Sequence, residues 1–270
     1  MSDPDSPTIL ITGGTRGVGK GIAQTFLQSG ATVIVCGREK PNKLPCWPDD
    51  SRIATKSDLN EAIFISADIR DPDECKRLIK EVIKATGRLD VLINNAGGSP
   101  PADAATASPR FSEAIIRLNL IAPLNLAQQA YQAMAKQDGE CSIINIASVS
   151  GIRPSPGTSA YGAAKAGLIS LTQSLAVEWA PKVRVNCIIA GPIKTEQSAL
   201  HYGDEAGISR VAKTIPQGRL GEPQDIGSAC LFLASSAAQW INGTKLEIHG
   251  GGERPAFLNA ANGNQDQIRS

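Results

Sequence analysis

The chain lacks most of the features that mark specialised protein classes. Aromatic residues make up only 4 % of its 270 positions, against 41 % hydrophobic residues overall. That balance suits an ordinary globular core, large enough for one large domain or two small ones. Lys and Arg do not cluster, and the formal net charge is +1, so there is no electrostatic footprint for nucleic acid or an anionic membrane and neither is expected as a partner. No run reaches the ~18 apolar residues needed to cross a bilayer. The N-terminus, MSDPDSP, is acidic and proline-rich where a signal peptide is basic and then apolar. The six cysteines (Cys36, Cys46, Cys75, Cys141, Cys187, Cys230) form no Cys-x-x-Cys pair, and three sit inside apolar runs as core residues do. Reduced thiols, a cytoplasmic setting and no metal site are the expectation. Internal repeats and linker-like breaks are also missing.

What is present is alternation. Short apolar, β-branched runs at 8–12, 31–36, 62–67, 89–94, 142–147, 183–189 and 244–248 have the length and flanking turns of strands. Between them lie segments with helical spacing. Ile22, Ala23, Phe26 and Leu27 follow a glycine cluster; Leu78, Ile79, Val82 and Ile83 follow Asp71-Pro72 and end at Gly87; Ser108-Pro109 caps a long helix to about Lys136; 159–179 and 223–235 complete the set. The order predicts an α/β fold, a doubly wound, Rossmann-type parallel sheet of seven strands with helices on both faces and right-handed crossovers. The expected organisation is a flexible 1–7, a single domain over 8–252 in which 196–215 covers a pocket, and a tail at 253–270. Residues 39–60, with Pro41, Pro45, Pro48 and Trp47, are expected to make an irregular excursion near the nucleotide-binding end of the sheet.

The first strand runs into Gly13, Gly14, Gly17 and Gly19, then into a helix. Glycines there permit unusual dihedrals and close approach, and a helix N-terminus offers N–H groups to a diphosphate. After the second strand an NAD site needs a carboxylate for the ribose, but this chain has Gly37 and Arg38. Arg38, with Arg16 inside the glycine turn, can pair with a 2′-phosphate, which favours NADP(H). Asp68, ending the third strand, is a candidate acceptor for the adenine amino group. At the other end of the chain's logic, Tyr161 and Lys165 are four residues apart, so a helix puts phenol and ammonium on one face. A neighbouring ammonium favours the phenolate, which makes the pair an acid/base device. Ala160, Gly162, Ala163, Ala164, Ala166 and Gly167 leave that face bare for something flat.

With these pieces together, the chain resembles the short-chain dehydrogenase/reductase family, in its single-domain branch, from about Thr8 to Gly252. Thr12-Gly13-Gly14-Thr15-Arg16-Gly17-Val18-Gly19 matches the family's glycine turn, Asp68 (with Ile69 beside it) its adenine contact, and Asn94-Asn95-Ala96-Gly97 its fourth-strand signature. Asn119, Ser148, Tyr161 and Lys165 match its catalytic set, and Val185-Asn186, Gly191 and Thr195 continue the pattern. The resemblance implies that Ser148 binds the substrate oxygen, Tyr161 exchanges its proton, and Lys165 lowers the tyrosine's pKa and holds the nicotinamide ribose. It implies that Asn95, Ala96 and Gly97 meet the adenosine ribose, Ile193 and Thr195 the carboxamide and diphosphate, and that the Asn119 carbonyl holds a relay water. Pro123, four residues on, has no N–H for that carbonyl and should kink the helix. Two departures stand out: Ala190-Gly191-Pro192 replaces the usual Pro-Gly, and the excursion replaces a helix.

The activity these readings imply is NADP(H)-dependent interconversion of a ketone and a secondary alcohol, as a carbonyl reductase, on a small-molecule substrate held by 98–107, 152–159 and 196–215. Ile193, Leu200, Tyr202 and Ile208 would supply apolar lining. The alternatives are a 3-oxoacyl thioester reductase and a catalytically silent nucleotide-binding regulator. The resemblance further implies a homotetramer or homodimer packed through the two long helices and the last strand.

Overall fold

The computed structural model describes residues 6–48, 60–253 and 255–257; parts of the expected N-terminal segment, excursion and C-terminal tail lie outside them. Strand β1 (Thr8–Thr12) is buried at every position, as a central parallel strand covered on both faces must be. It leads through the glycine turn into α1 (Gly17–Gln28) and β2 (Thr32–Gly37). Two short strands, β3 (Cys46–Trp47) and β4 (Asn60–Glu61), precede β5 (Ile63–Ser66), α2 (Pro72–Thr86) and β6 (Val91–Asn94). Helices α3 (Pro109–Ile116) and α4 (Ala122–Met134) lead to β7 (Cys141–Ser148), α5 (Ser159–Trp179) and β8 (Val183–Ala190). Then come α6 (Ser198–Tyr202), α7 (Glu205–Thr214), α8 (Pro223–Ala234) and β9 (Lys245–Ile248). The main sheet is parallel and seven-stranded, ordered β5-β2-β1-β6-β7-β8-β9, as the alternation predicts.

Side-chain alternation on the strands sorts the core into two layers. Leu10, Ile34, Leu92 and Ile143 pack with Leu78, Leu126 and Leu175 of α2, α4 and α5. Ile9, Ile11, Val33 and Ile93 pack with Ile22, Phe26 and Ile226 of α1 and α8. The chain reverses its winding at β1, whose neighbours are β2 and β6. Open α/β sheets leave a crevice beyond the strand ends at such a point, and here the glycine turn and Asn94–Gly97 meet.

Three local features differ from the sequence-based expectation or refine it. The long helix expected from Ser108 is interrupted: five residues, Arg117–Ile121, form a π turn in which the Ala122 N–H reaches the Arg117 carbonyl. Pro123 supplies the reason, since it cannot donate to Asn119 and the turn widens around the missing bond. The excursion begins after β2 at the nucleotide end, as expected, but its described residues Cys46, Trp47 and Asn60 reach the opposite end of α1. Cys46 and Trp47 pair antiparallel with Glu61 and Asn60, and Asn60 Nδ2 donates to the Leu27 carbonyl at the far end of α1 (3.0 Å). Gly87, by contrast, closes α2 at φ 77° as expected of a left-handed cap.

A buried polar brace crosses the sheet beneath the crevice. Asn94 Nδ2 of β6 donates to Asn145 Oδ1 of β7 (2.9 Å) and to the Pro123 carbonyl (3.3 Å). Asn145 Nδ2 donates to Thr172 Oγ1 of α5 (2.9 Å), whose own proton goes to the Leu168 carbonyl (2.8 Å). All three side chains are buried, so each broken link strands a donor at a cost of about 1–3 kcal/mol. Thr172→Val and Asn145→Ala should each lower urea stability by about that much, and the double variant by clearly less than their sum. Strict additivity would show that the two side chains are not coupled.

Candidate active site

The site lies where β1, β6 and β7 end against α1 and α5. Gly13 and Gly17 adopt φ 62° and 52°, which glycine reaches without strain. A Cβ on Gly19 would lie 2.3 Å from the Gly13 carbonyl oxygen, and one on Gly14 would lie 2.5 Å from Val35. The turn is closed from the other side by Thr12, which sequence reading placed in the motif without a role. Its hydroxyl accepts the N–H groups of Asn95 (3.0 Å) and Ala96 (2.9 Å), and Asn95 Nδ2 donates to the Thr12 carbonyl (2.8 Å). Helix α1 starts after Arg16 with no side-chain cap and no acidic residue in its first turn. That leaves backbone donors facing the crevice, the arrangement a diphosphate requires. Thr15 and Val18 are half-buried in the same turn.

Arg38 follows β2, and the register Thr12↔Cys36 sets it beside the glycine turn that carries Arg16; both arginines are exposed. Asp68 is already engaged. Arg70 grips both its oxygens through Nε (2.8 and 3.1 Å) and holds its carboxyl below the usual range, with Arg38 adding a smaller pull. Ile69 is a core residue, which leaves only its backbone for a ligand. Ile193 forms a bridge with Gly221, and the Thr195 methyl lies against Gly17.

Asn119, Ser148, Tyr161 and Lys165 converge on β7 and α5. Asn119 is fully buried; its amide donates to the carbonyls of Gly98 (3.0 Å) and Ile115 (2.9 Å) and accepts the Gly98 N–H (2.9 Å). Ser148 ends β7 and accepts the Ser150 N–H (3.2 Å); it lies close enough to the Tyr161 phenol to lower its pKa. Lys165 is 3 % exposed. Its Nζ donates to the Ile146 carbonyl (2.8 Å) and sits 5.6 Å from the centre of the Tyr161 ring. Gly97 closes over both: a Cβ there would stand 2.5 Å from Asn119 Oδ1 and 3.2 Å from Lys165 Nζ.

The electrostatics run against one expectation. Burial raises the Tyr161 phenol above its ordinary value, and the Ser148 hydrogen bond only partly offsets this. The ammonium does not hold the phenolate, because it lies under the ring face and spends its bond on Ile146. Lys165 itself is pushed down to about 8, chiefly by burial. The arrangement is a protonated phenol above a cation that gives up its proton near pH 8. It can donate a proton to an oxygen held at Ser148. Toward the expected substrate side, Arg153 and Glu253 form an ion pair (2.6 Å), and Glu253 lies close enough to raise the half-buried Tyr202 phenol further. Sequence reading missed this pair, which joins residues 100 positions apart. Among the described residues no helix is long and apolar enough to cross a membrane.

The chain is similar to known proteins over most of its length. A family model described as enoyl-(acyl carrier protein) reductase matches residues 13–253. The chain is 35 % identical over 248 residues to a 3-oxoacyl-[acyl-carrier-protein] reductase of Thermotoga maritima, covering 90 % of this chain and 96 % of the other. It is 33 % identical over 252 residues to the L-fucose dehydrogenase of Oryctolagus cuniculus, covering 91 % and 84 %. Ligand-free aldohexose dehydrogenase of Thermoplasma acidophilum superposes with a TM-score of 0.81 at 30 % identity, over 93 % of this chain and 95 % of that one.

The depressed lysine has a measurable consequence without any ligand. Its folded value of about 8 lies below the ordinary 10.5, so the unfolded state binds its proton more tightly. The charge therefore destabilises the fold fully below about pH 8, and that penalty disappears as pH rises toward 10.5. Lys165→Met should be more stable than the parent at pH 7, by about 3 kcal/mol at the usual conversion, with the gap closing between pH 8 and 10.5. Chemical denaturation across that range checks it; a gap that stays constant with pH would contradict the assignment to Lys165.

Proposed function

The chain belongs to the short-chain dehydrogenase/reductase family, and on that premise we propose that it is an NADP(H)-dependent carbonyl reductase, interconverting a ketone and a secondary alcohol. Oxidoreduction at a CH–OH carbon with a nicotinamide nucleotide comes with the family. The observation that carries the finer reading is that Ser148 and Tyr161 are brought together over the buried Lys165, whose Nζ lies 5.6 Å from the centre of the Tyr161 ring. The glycine turn, the start of α1 with no side-chain bond from its own N-cap residue, and the close seat at Gly97 fit a dinucleotide, which supplies the hydride when bound.

The chain's own residues do the rest. Ser148 and the Tyr161 hydroxyl hold the substrate oxygen. Burial keeps the phenol protonated, so Tyr161 gives its proton to that oxygen as negative charge develops there. Lys165, with its lowered proton affinity, can return a proton to the resulting phenolate. Asn119 fixes the Gly98 backbone beside this pair. Arg16 and Arg38 support NADP(H), since the position directly after β2, where a carboxylate would bind a free ribose 2′-hydroxyl, holds Arg38.

A 3-oxoacyl thioester reductase is the second reading, supported by the Thermotoga relative. The Arg153–Glu253 pair near Tyr202 favours a compact, polar carbonyl over a long acyl chain, because an apolar chain would have to lie across two charges. A homo-oligomer is also part of the proposal: Trp240 is fully exposed and Val177 of α5 nearly so, and single large apolar groups of this kind suit a subunit contact.

Tyr161→Phe should lower kcat on a carbonyl panel by ~10²–10⁴-fold while the Kd for NADPH, from nucleotide fluorescence, barely moves. Unchanged turnover would remove Tyr161 from the chemistry. Arg38→Ala should weaken NADPH by roughly tenfold, about 1.4 kcal/mol, and leave NADH nearly unaffected; equal losses for both would count against the 2′-phosphate contact.

A further inference from the structure

Glu196 occupies a place that the oxidoreductase reading leaves unexplained. Its carboxylate oxygens lie 3.2 and 3.1 Å from the Gly17 backbone nitrogen, and both accept that N–H. The two residues are 179 positions apart. Gly17 is the first residue of α1, and neither its cap nor its first turn provides a carboxylate or a side-chain bond. A charge of the same sign as a diphosphate has therefore been brought to the donors a diphosphate would use.

The delivery is built into the chain. Thr195 N–H donates to Ser198 Oγ (2.8 Å), and Ser198 N–H returns to the Thr195 carbonyl (3.0 Å). Ser198 is buried, which anchors the turn. Lys194 N–H and Gly221 N–H tie the preceding residues to the loop before α8 (2.8 and 3.0 Å). Glu196 thus stands on a braced turn, directly ahead of α6 and α7, the segment expected to cover the substrate.

We propose that Glu196 is an internal anion that competes with the cofactor's diphosphate for the N-terminus of α1, and so sets cofactor affinity and links cofactor arrival to release of the α6–α7 segment. This rests on the reading of the crevice as a dinucleotide site. A diphosphate and the carboxylate repel each other at one N–H, so binding requires Glu196 to leave, and its departure frees the residues that follow.

The test compares the full chain with Glu196→Gln, which keeps the shape and removes the charge. Fluorescence titration with NADPH should show roughly two- to tenfold tighter binding for the variant, as expected for a charge at a helix terminus. Adenosine 2′-monophosphate, which carries the 2′-phosphate without the diphosphate, should bind both proteins alike. Hydrogen exchange should be faster over 196–214 in the variant alone than in the parent alone, and NADPH should raise it in the parent. Unchanged or weaker NADPH binding by the variant would overturn the proposal, as would equal tightening of the monophosphate, which would indicate a general charge effect. Failure of the parent to bind either NADPH or NADH would instead overturn the dinucleotide reading, and the proposal with it.

Discussion

A lysine charge held almost out of water is the constraint around which the rest of the site is arranged. Among the described residues Lys165 has one hydrogen-bond acceptor, the Ile146 carbonyl, and burial has already moved its proton affinity to near 8. An ion in such a place is costly unless its surroundings are fixed. The elements that meet there are correspondingly fixed. β7 supplies the carbonyl, α5 carries the lysine, and the Asn94–Asn145–Thr172 chain ties β6, β7 and α5 together one layer below. The same brace reaches the Pro123 carbonyl and so holds the first turn of α4 just past the π turn that contains Asn119.

This coupling explains why glycine recurs where it does. Gly97 and Gly151 both lie against Lys165: a Cβ on Gly151 would stand 3.1 Å from the Lys165 Cβ and 2.9 Å from its backbone. Gly162 meets the Ser150 carbonyl in the same way, at 2.8 Å. The bare Ala/Gly face of α5 serves two purposes. It lets the strand-end loops close over the ammonium, and it keeps a flat surface beside the Tyr161 ring. Packing that close excludes water, which is also what raises the phenol and makes it an acid.

The fold was legible because its signals are local. Apolar runs bounded by turns marked the seven strands of the main sheet along the chain, and caps such as Asp71-Pro72 and Gly87 marked α2 to the residue. The Tyr161–Lys165 pair was legible through helical spacing, and Asn119 and Ser148 through the family resemblance. What escaped were relations that spacing does not carry. Proline periodicity predicted an irregular excursion but not that Cys46 and Trp47 would pair with Glu61 and Asn60 at the far end of α1, because strand pairing depends on where the chain returns. The sign of the Tyr161 shift was inferred from the neighbouring ammonium alone; the depth of burial, which wins, is a property of the assembled fold. Glu196 and the Arg153–Glu253 pair gave no signal, since an acidic residue on a loop looks the same whether or not a partner lies 179 or 100 residues away.

The two charged features at opposite ends of the crevice divide the work in physical terms. Near α5, a cation is buried so that its proton becomes easy to lose, and the surrounding groups are immobile. Near α1, an anion is exposed on a braced turn and satisfied by a single backbone N–H, so displacing it strands little. A buried charge is suited to proton transfer because its environment cannot relax; an exposed one is suited to exchange because water replaces its partner at small cost. The parallel sheet makes both possible by placing the ends of β1 and β7 on one edge, one leading to a helix start that attracts anions and the other to a helix face that shelters a cation.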